Sequence, residues 1–87
     1  MRTTKELLEL MLKHKGLFRA RLFGAGLHRW ATNLFTYNLI TRSELSILRK
    51  HIKKNKPDKT FSENHYWRKG EIAPRIEWIN QQMLKLS

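Results

Sequence analysis

The sequence predicts an all-α fold, a small four-helix domain built on a central helical hairpin, and three observations lead there. Apolar residues recur at spacings of three and four through most of the 87 residues, the period of a helix with one buried face. Two Thr-x-x-Glu tetrads, Thr3 to Glu6 and Thr41 to Glu44, stand directly before such runs. Each reads as a capping box, in which the threonine hydroxyl accepts the Glu amide and the carboxylate reaches back to the Thr amide. Only two or three residues separate the second periodic run from the third, and a link that short forces the two helices to pack side by side.

The first helix is expected over residues 4–15, with Leu7, Leu8, Met11 and Leu12 on one face. Lys13, His14 and Lys15 suit the negative end of its dipole, and Gly16 is expected as a left-handed stop. Gly24 and Gly26 each disfavour a helix interior by about 1 kcal/mol, so residues 17–26 read as a turn or a loose first helical turn. The second helix follows over 25–38, where Leu27, Trp30, Ala31, Leu34 and Phe35 form the apolar face and Asn38 the stop. Trp30 is assigned to the core.

The third helix spans 41–55. Ile40 and Leu45 flank its cap as a hydrophobic staple, Leu45, Leu48 and Ile52 line its buried face, and Pro57 ends it. Residues 57–70 form a long connection before the last helix, and Phe61, Tyr66 and Trp67 argue against disorder there. The fourth helix is expected over 74–86, with Pro74 in its first turn and a stripe of Ile72, Ile76, Ile79, Met83 and Leu86.

Length fits a single domain over residues 1–87. An apolar content of 40% with 10% aromatics is too high for a disordered basic tail. The chain has no Cys, which excludes disulfides and thiolate metal sites and suits a reducing cytoplasm. Stability then comes from helix packing, or from a homo-oligomer that shares core between chains. No apolar run approaches the roughly 20 residues of a membrane span. A basic amphipathic protein at an anionic membrane fits less well than helices joined by short turns that bury their apolar faces against each other, so no membrane partner is expected. The stretch Leu7 to Leu12, interrupted by Glu9, reads as a helix rather than a signal peptide.

Two segments taken together carry a resemblance. One is Leu39-Ile-Thr-Arg-Ser-Glu-Leu45 followed by Leu48 and Lys53-Lys-Asn-Lys-Pro57; the other is Tyr66-Trp-Arg-Lys-Gly70 followed by Ala73-Pro-Arg-Ile-Glu-Trp-Ile79. Their order resembles a diffuse set of short, uncharacterised accessory proteins encoded by phages and prophages, over roughly residues 26–80. The resemblance implies a phage origin and the cytoplasm of an infected bacterium. It also implies a part in host takeover or counter-defence, as an inhibitor or as a binder of nucleic acids or nucleotide signals. No activity comes with it.

Eighteen Lys and Arg against seven Asp and Glu give a formal charge of +11, and the usual partner that offsets so large a charge is nucleic acid or another polyphosphate. Catalysis finds no support. Glu6 and Glu44 serve the caps, and no close carboxylate pair suggests an acid/base dyad. His14, His28, His51 and His65 lack metal-ligand spacing, and Ser43 and Ser46 lack a nucleophile signature. The expectation is a non-catalytic protein with no cofactor and no metal.

Three clusters are candidates for phosphate contact. The clearest is the third helix, where Arg42, Arg49 and Lys53 share a narrow sector beside the apolar face and Lys50 lies next to them. The ordinary alternative is a solvated face. It is weakened because no acid at three or four residues neutralises Arg49, Lys50 or Lys53. The second is Trp67, Arg68 and Lys69 with Arg75, Tyr66 and Trp78, since an aromatic ring beside Arg can stack a base while the cation grips phosphate. Arg75 opposes the dipole of the fourth helix, a placement that points to pairing with Glu71 or an anion. The competing reading puts Trp67 and Trp78 in the core. A secondary basic patch of Arg19, Arg21 and Arg29 flanks the Gly24-Ala25-Gly26 turn, where close packing or a simple break is favoured over a phosphate cradle.

The function expected is binding of a phosphate-bearing ligand: nucleic acid, or a sequestered small nucleotide such as a cyclic dinucleotide signal. The alternative is a protein–protein inhibitor that docks its basic face on an acidic or nucleic-acid-binding surface of a host protein. The third helix lacks base-reading Asn or Gln among its cations, so sequence-specific DNA binding is not expected.

Overall fold

The computed structural model describes residues 1–19, 26–55 and 71–86. They fold as α1 (Thr4–Lys13), a short 3-10 turn (Lys15–Leu17), α2 (Gly26–Thr36), α3 (Arg42–Lys54) and α4 (Ile72–Lys85), with no strand among the described residues. Among the described residues the architecture, all-α with four α-helices, is the expected one. The aromatic connection expected over 57–70 lies outside the described residues.

Both capping boxes form. The Thr3 amide donates to the Glu6 carboxylate at 2.8 Å and the Glu6 amide to the Thr3 hydroxyl at 3.2 Å. At the start of α3 the same exchange joins Thr41 and Glu44 at 2.9 and 3.1 Å. Glu44 does more than cap. The Arg2 amide donates to it at 2.9 Å and the Arg2 guanidinium at 3.1 Å, which ties the chain before α1 to the first turn of α3. These donors, Thr41 first and Arg2 next, hold the Glu44 carboxyl well below its ordinary value, at about 2.

Helix ends follow local chemistry, with two departures. Asn38 adopts φ 61° after α2. The Leu39 amide donates to the Leu34 carbonyl and the Asn38 amide to the Phe35 carbonyl, both at 2.9 Å, so α2 closes in a Schellman motif. Gly16, by contrast, is not a left-handed stop: α1 ends at Lys13 and Gly16 lies inside the 3-10 turn. The last carbonyls of that region are instead taken by α2, from which Trp30 Nε1 donates to the His14 carbonyl at 3.1 Å and Asn33 Nδ2 to the Leu17 carbonyl at 2.7 Å. The last helix starts at Ile72 rather than at residue 74, because Pro74 is accommodated in a first turn whose amides lack intrahelical partners anyway.

The hairpin of α2 and α3 packs against α1, and α4 packs against α1 as well. Leu7, Leu8 and Met11 of α1, Trp30, Ala31 and Leu34 of α2, Leu48 and Ile52 of α3, and Ile79 of α4 form one continuous core. Ile40 and Leu45, the staple pair, are buried in the same cluster. Trp30 is wholly inside, edge-on to Phe18 with ring centroids 5.5 Å apart.

Polar pairs fasten α4 to the end of α3. His51 meets the Gln82 side chain at 3.0 Å, and Trp78 Nε1 donates to the Asn55 carbonyl at 2.9 Å. Asn55 Nδ2 points at His51 Nδ1, so the imidazole carries its proton on Nε2 and donates it to Gln82. Burial is the largest cause holding His51 below its ordinary value, which suits this neutral form.

Candidate functional site

On α3, Arg42, Arg49, Lys50 and Lys53 all project to the surface. Leu45, Leu48 and Ile52 of the same helix are buried, and that orientation leaves the cation stripe along the seam with α2. A groove of about 690 Å³ runs along this seam. From α3 it receives all four cations, with Leu45 and Ser46; from α2 it receives His28, Thr32 and Phe35. No carboxylate among the described residues lines it. Glu44, the acid nearest in sequence, is buried and turned to Thr41 and Arg2.

Two of the cations are placed by partners on α2. The Arg49 guanidinium donates to the Thr32 hydroxyl at 2.6 Å, and that hydroxyl donates in turn to the His28 carbonyl at 2.8 Å. The Arg42 guanidinium lies over the Phe35 ring, 5.8 Å from its centroid. Burial, reinforced by Arg49 and then Lys53, holds the His28 imidazole below its ordinary value of 6.5. The groove wall is therefore neutral at His28 and positive at the four α3 side chains. A concave, mostly apolar floor under fixed cations can take a ligand that is anionic along one edge and apolar along another.

Arg29, expected in a separate patch with Arg19 and Arg21, belongs to the same site. It lines a smaller depression with His28, Thr32 and Arg49, and those three residues also line the main groove. Arg19 is exposed and donates to the carbonyls of Gly16 at 2.7 Å and Phe18 at 3.0 Å. Arg21, Trp67, Arg68 and Lys69 lie outside the described residues.

Arg75 requires a correction. It is fully buried, with no exposed surface, and is not a surface cation. Its guanidinium donates to the Glu71 carbonyl at 2.6 Å, one turn back, and stacks over the Phe18 ring at 5.5 Å from its centroid. This contact with Glu71 is to its backbone carbonyl, not the charge pairing expected. Gly26 makes room for it: a Cβ there would collide with Arg75 Nε. Close packing, not phosphate binding, accounts for this glycine. Trp78 is also core, 3% exposed and edge-on to His51.

His28, Thr32 and Phe35 were missed as site residues. They recur at four and three residues on α2, Phe35 at the edge of its apolar face and His28 and Thr32 beside it, and that spacing is the signal that places them toward a neighbouring helix. Their chemistry becomes relevant only once α3 is known to lie opposite.

No family model, curated protein or solved structure matches the chain. Its fold and site define a small all-α domain with a cation-lined groove between two helices. No described helix is long and apolar enough to cross a membrane.

Proposed function

We propose that this protein is a non-catalytic binding module that takes a phosphate-bearing ligand, nucleic acid or a small nucleotide, in the α2–α3 groove. One observation carries the reading: four cations from three turns of one helix line a single groove that no carboxylate of the described residues enters. Phosphate oxygens are the ligand atoms that arginine and lysine at such a wall recognise, through charge-assisted hydrogen bonds. Arg49 and Arg42 are already held by Thr32 and Phe35, which lowers the ordering cost of binding. The resemblance to phage accessory proteins fits a part in host takeover or counter-defence through that ligand.

The test is competition by inorganic tripolyphosphate for whatever anion the purified protein retains, in the parent protein and in Arg49→Glu/Lys53→Glu. The reading requires salt-sensitive polyphosphate binding that the double reversal removes. A protein that ignores polyphosphate and nucleotides at physiological salt, yet forms a complex with an acidic host protein, is an inhibitor instead. Charge reversal would then slow association far more than it speeds dissociation.

A further inference from the structure

We infer that the groove holds the backbone of a single-stranded nucleic acid, gripped at successive phosphates and without sequence preference. This rests on the phosphate-binding reading above and narrows it to one ligand class.

The first ground is length. Arg42 and Lys53 are eleven residues apart on one helix, a rise of roughly 16 Å at about 1.5 Å per residue. Arg42 and Arg49 are held at separate stations, one on Phe35 and one on Thr32, about 10 Å apart along the axis by the same rise. A mononucleotide needs cations that converge on one phosphate cluster. These cations are strung out in a row, and Arg29 extends the row over α2 through the adjoining depression. A row of spaced cations matches a ligand with repeated, spaced phosphates.

The second ground is the floor. Phe35 and Leu45 make the groove mostly apolar beneath its charged rim. A duplex turns phosphates outward and keeps its bases stacked inside, so it would leave that apolar surface uncovered. An unpaired strand carries bases that can cover apolar and aromatic surface while its phosphates follow the cations. The third ground is chemistry. Among the described residues no Asn, Gln, Asp or Glu lines the groove to read adenine or cytosine edges, and its two arginines, the residue type that reads guanine, are engaged by Thr32 and Phe35. The Thr32 hydroxyl is engaged by Arg49 and His28, so it reads nothing.

The experiment is fluorescence anisotropy with a labelled oligothymidylate of about twelve nucleotides, a blunt duplex of the same length, and ATP as competitor, across a salt series. The expected result is tight single-strand binding, at least tenfold weaker duplex binding, and a log–log salt slope near −3, as four to five contacts at about −0.7 each require. Arg49→Glu/Lys53→Glu should weaken single-strand binding more than tenfold. Circular dichroism checks its fold, and Arg49→Gln/Lys53→Gln replaces it if the reversal misfolds. Duplex bound as well as single strand, or ATP competing as well as unlabelled oligomer, overturns the single-strand assignment and leaves phosphate binding in place, provided the double variant loses it. Failure of all three ligands to bind at physiological salt overturns both.

Discussion

Arg49 of α3 and Thr32 of α2 meet at 2.6 Å, guanidinium to hydroxyl, across the groove between the two helices. The contact fixes one cation where a ligand would need it. Thr32→Val keeps the shape and removes the acceptor. A surface contact of this kind contributes little to stability, so the folding free energy should move by no more than about 0.5 kcal/mol. Oligonucleotide affinity should drop several-fold, since Arg49 must then be ordered during binding at a cost of about 0.5–1.5 kcal/mol. Paired urea and anisotropy titrations read both quantities, and an unchanged affinity would show that Arg49 needs no placement.

Gly26 and Gly16 should respond to alanine in opposite directions. A Cβ on Gly26 collides with Arg75 Nε and crowds Phe18, while a Cβ on Gly16 meets nothing within 4 Å. Gly26→Ala is therefore expected to destabilise by about 1–3 kcal/mol, the usual range for overpacking a core. Gly16→Ala should be neutral or stabilising by up to about 1 kcal/mol through the unfolded chain. Adding a shorter side chain at Arg75 to Gly26→Ala should recover part of the loss, because contacting residues are energetically coupled. Equal melting temperatures for the two glycine variants would contradict the buried packing of Arg75.

Trp30→Ala should cost about 3–5 kcal/mol, the range for emptying a large aromatic site. Its indole has no exposure, and it also takes the His14 carbonyl at the end of α1. Thr41→Ala should cost about 1 kcal/mol, as the loss of an N-cap does. Denaturant unfolding of both proteins checks the ranking; near-normal melting of Trp30→Ala would place the indole outside the core.

Acid should unfold the protein in two stages. His28 and His51 have folded pKa values below their ordinary 6.5, so the unfolded chain binds protons first, and the stability they contribute above that pH is lost as pH falls below it. Glu44 is depressed from 4.5 to about 2, so its contribution is complete above pH 4.5 and disappears as pH falls toward 2. Arg2→Gln should move the lower stage to higher pH and leave the upper one alone. Ligand binding should run the other way at His28: an anion beside the imidazole favours its charged form, so affinity should rise as pH falls toward the depressed pKa of His28, and His28→Gln should abolish that dependence. Urea midpoints and binding isotherms over a pH series measure each part.

What the amino-acid sequence determined by itself was local. Capping boxes at Thr3 and Thr41, the Asn38 stop, the hairpin and the apolar stripes of α1 to α3 all depend on residues within a few positions of one another, and short-range hydrogen bonding and periodicity set them. On α4 the stripe expected at Ile72, Ile76, Ile79, Met83 and Leu86 gives way to a buried face of Pro74, Arg75, Trp78, Ile79 and Gln82. The cation row on α3 was legible for the same reason: Arg42, Arg49 and Lys53 share a helix face whatever lies opposite. Tertiary structure decided the rest. Whether Arg75 is a surface cation or a buried one depends on Phe18 and Gly26, more than forty positions away in the chain. Whether the α3 row is a solvated face or one wall of a groove depends on His28, Thr32 and Phe35 arriving from α2. Burial and facing are properties of pairs of elements, and the order of residues along one helix cannot specify which side chains the next helix brings against it.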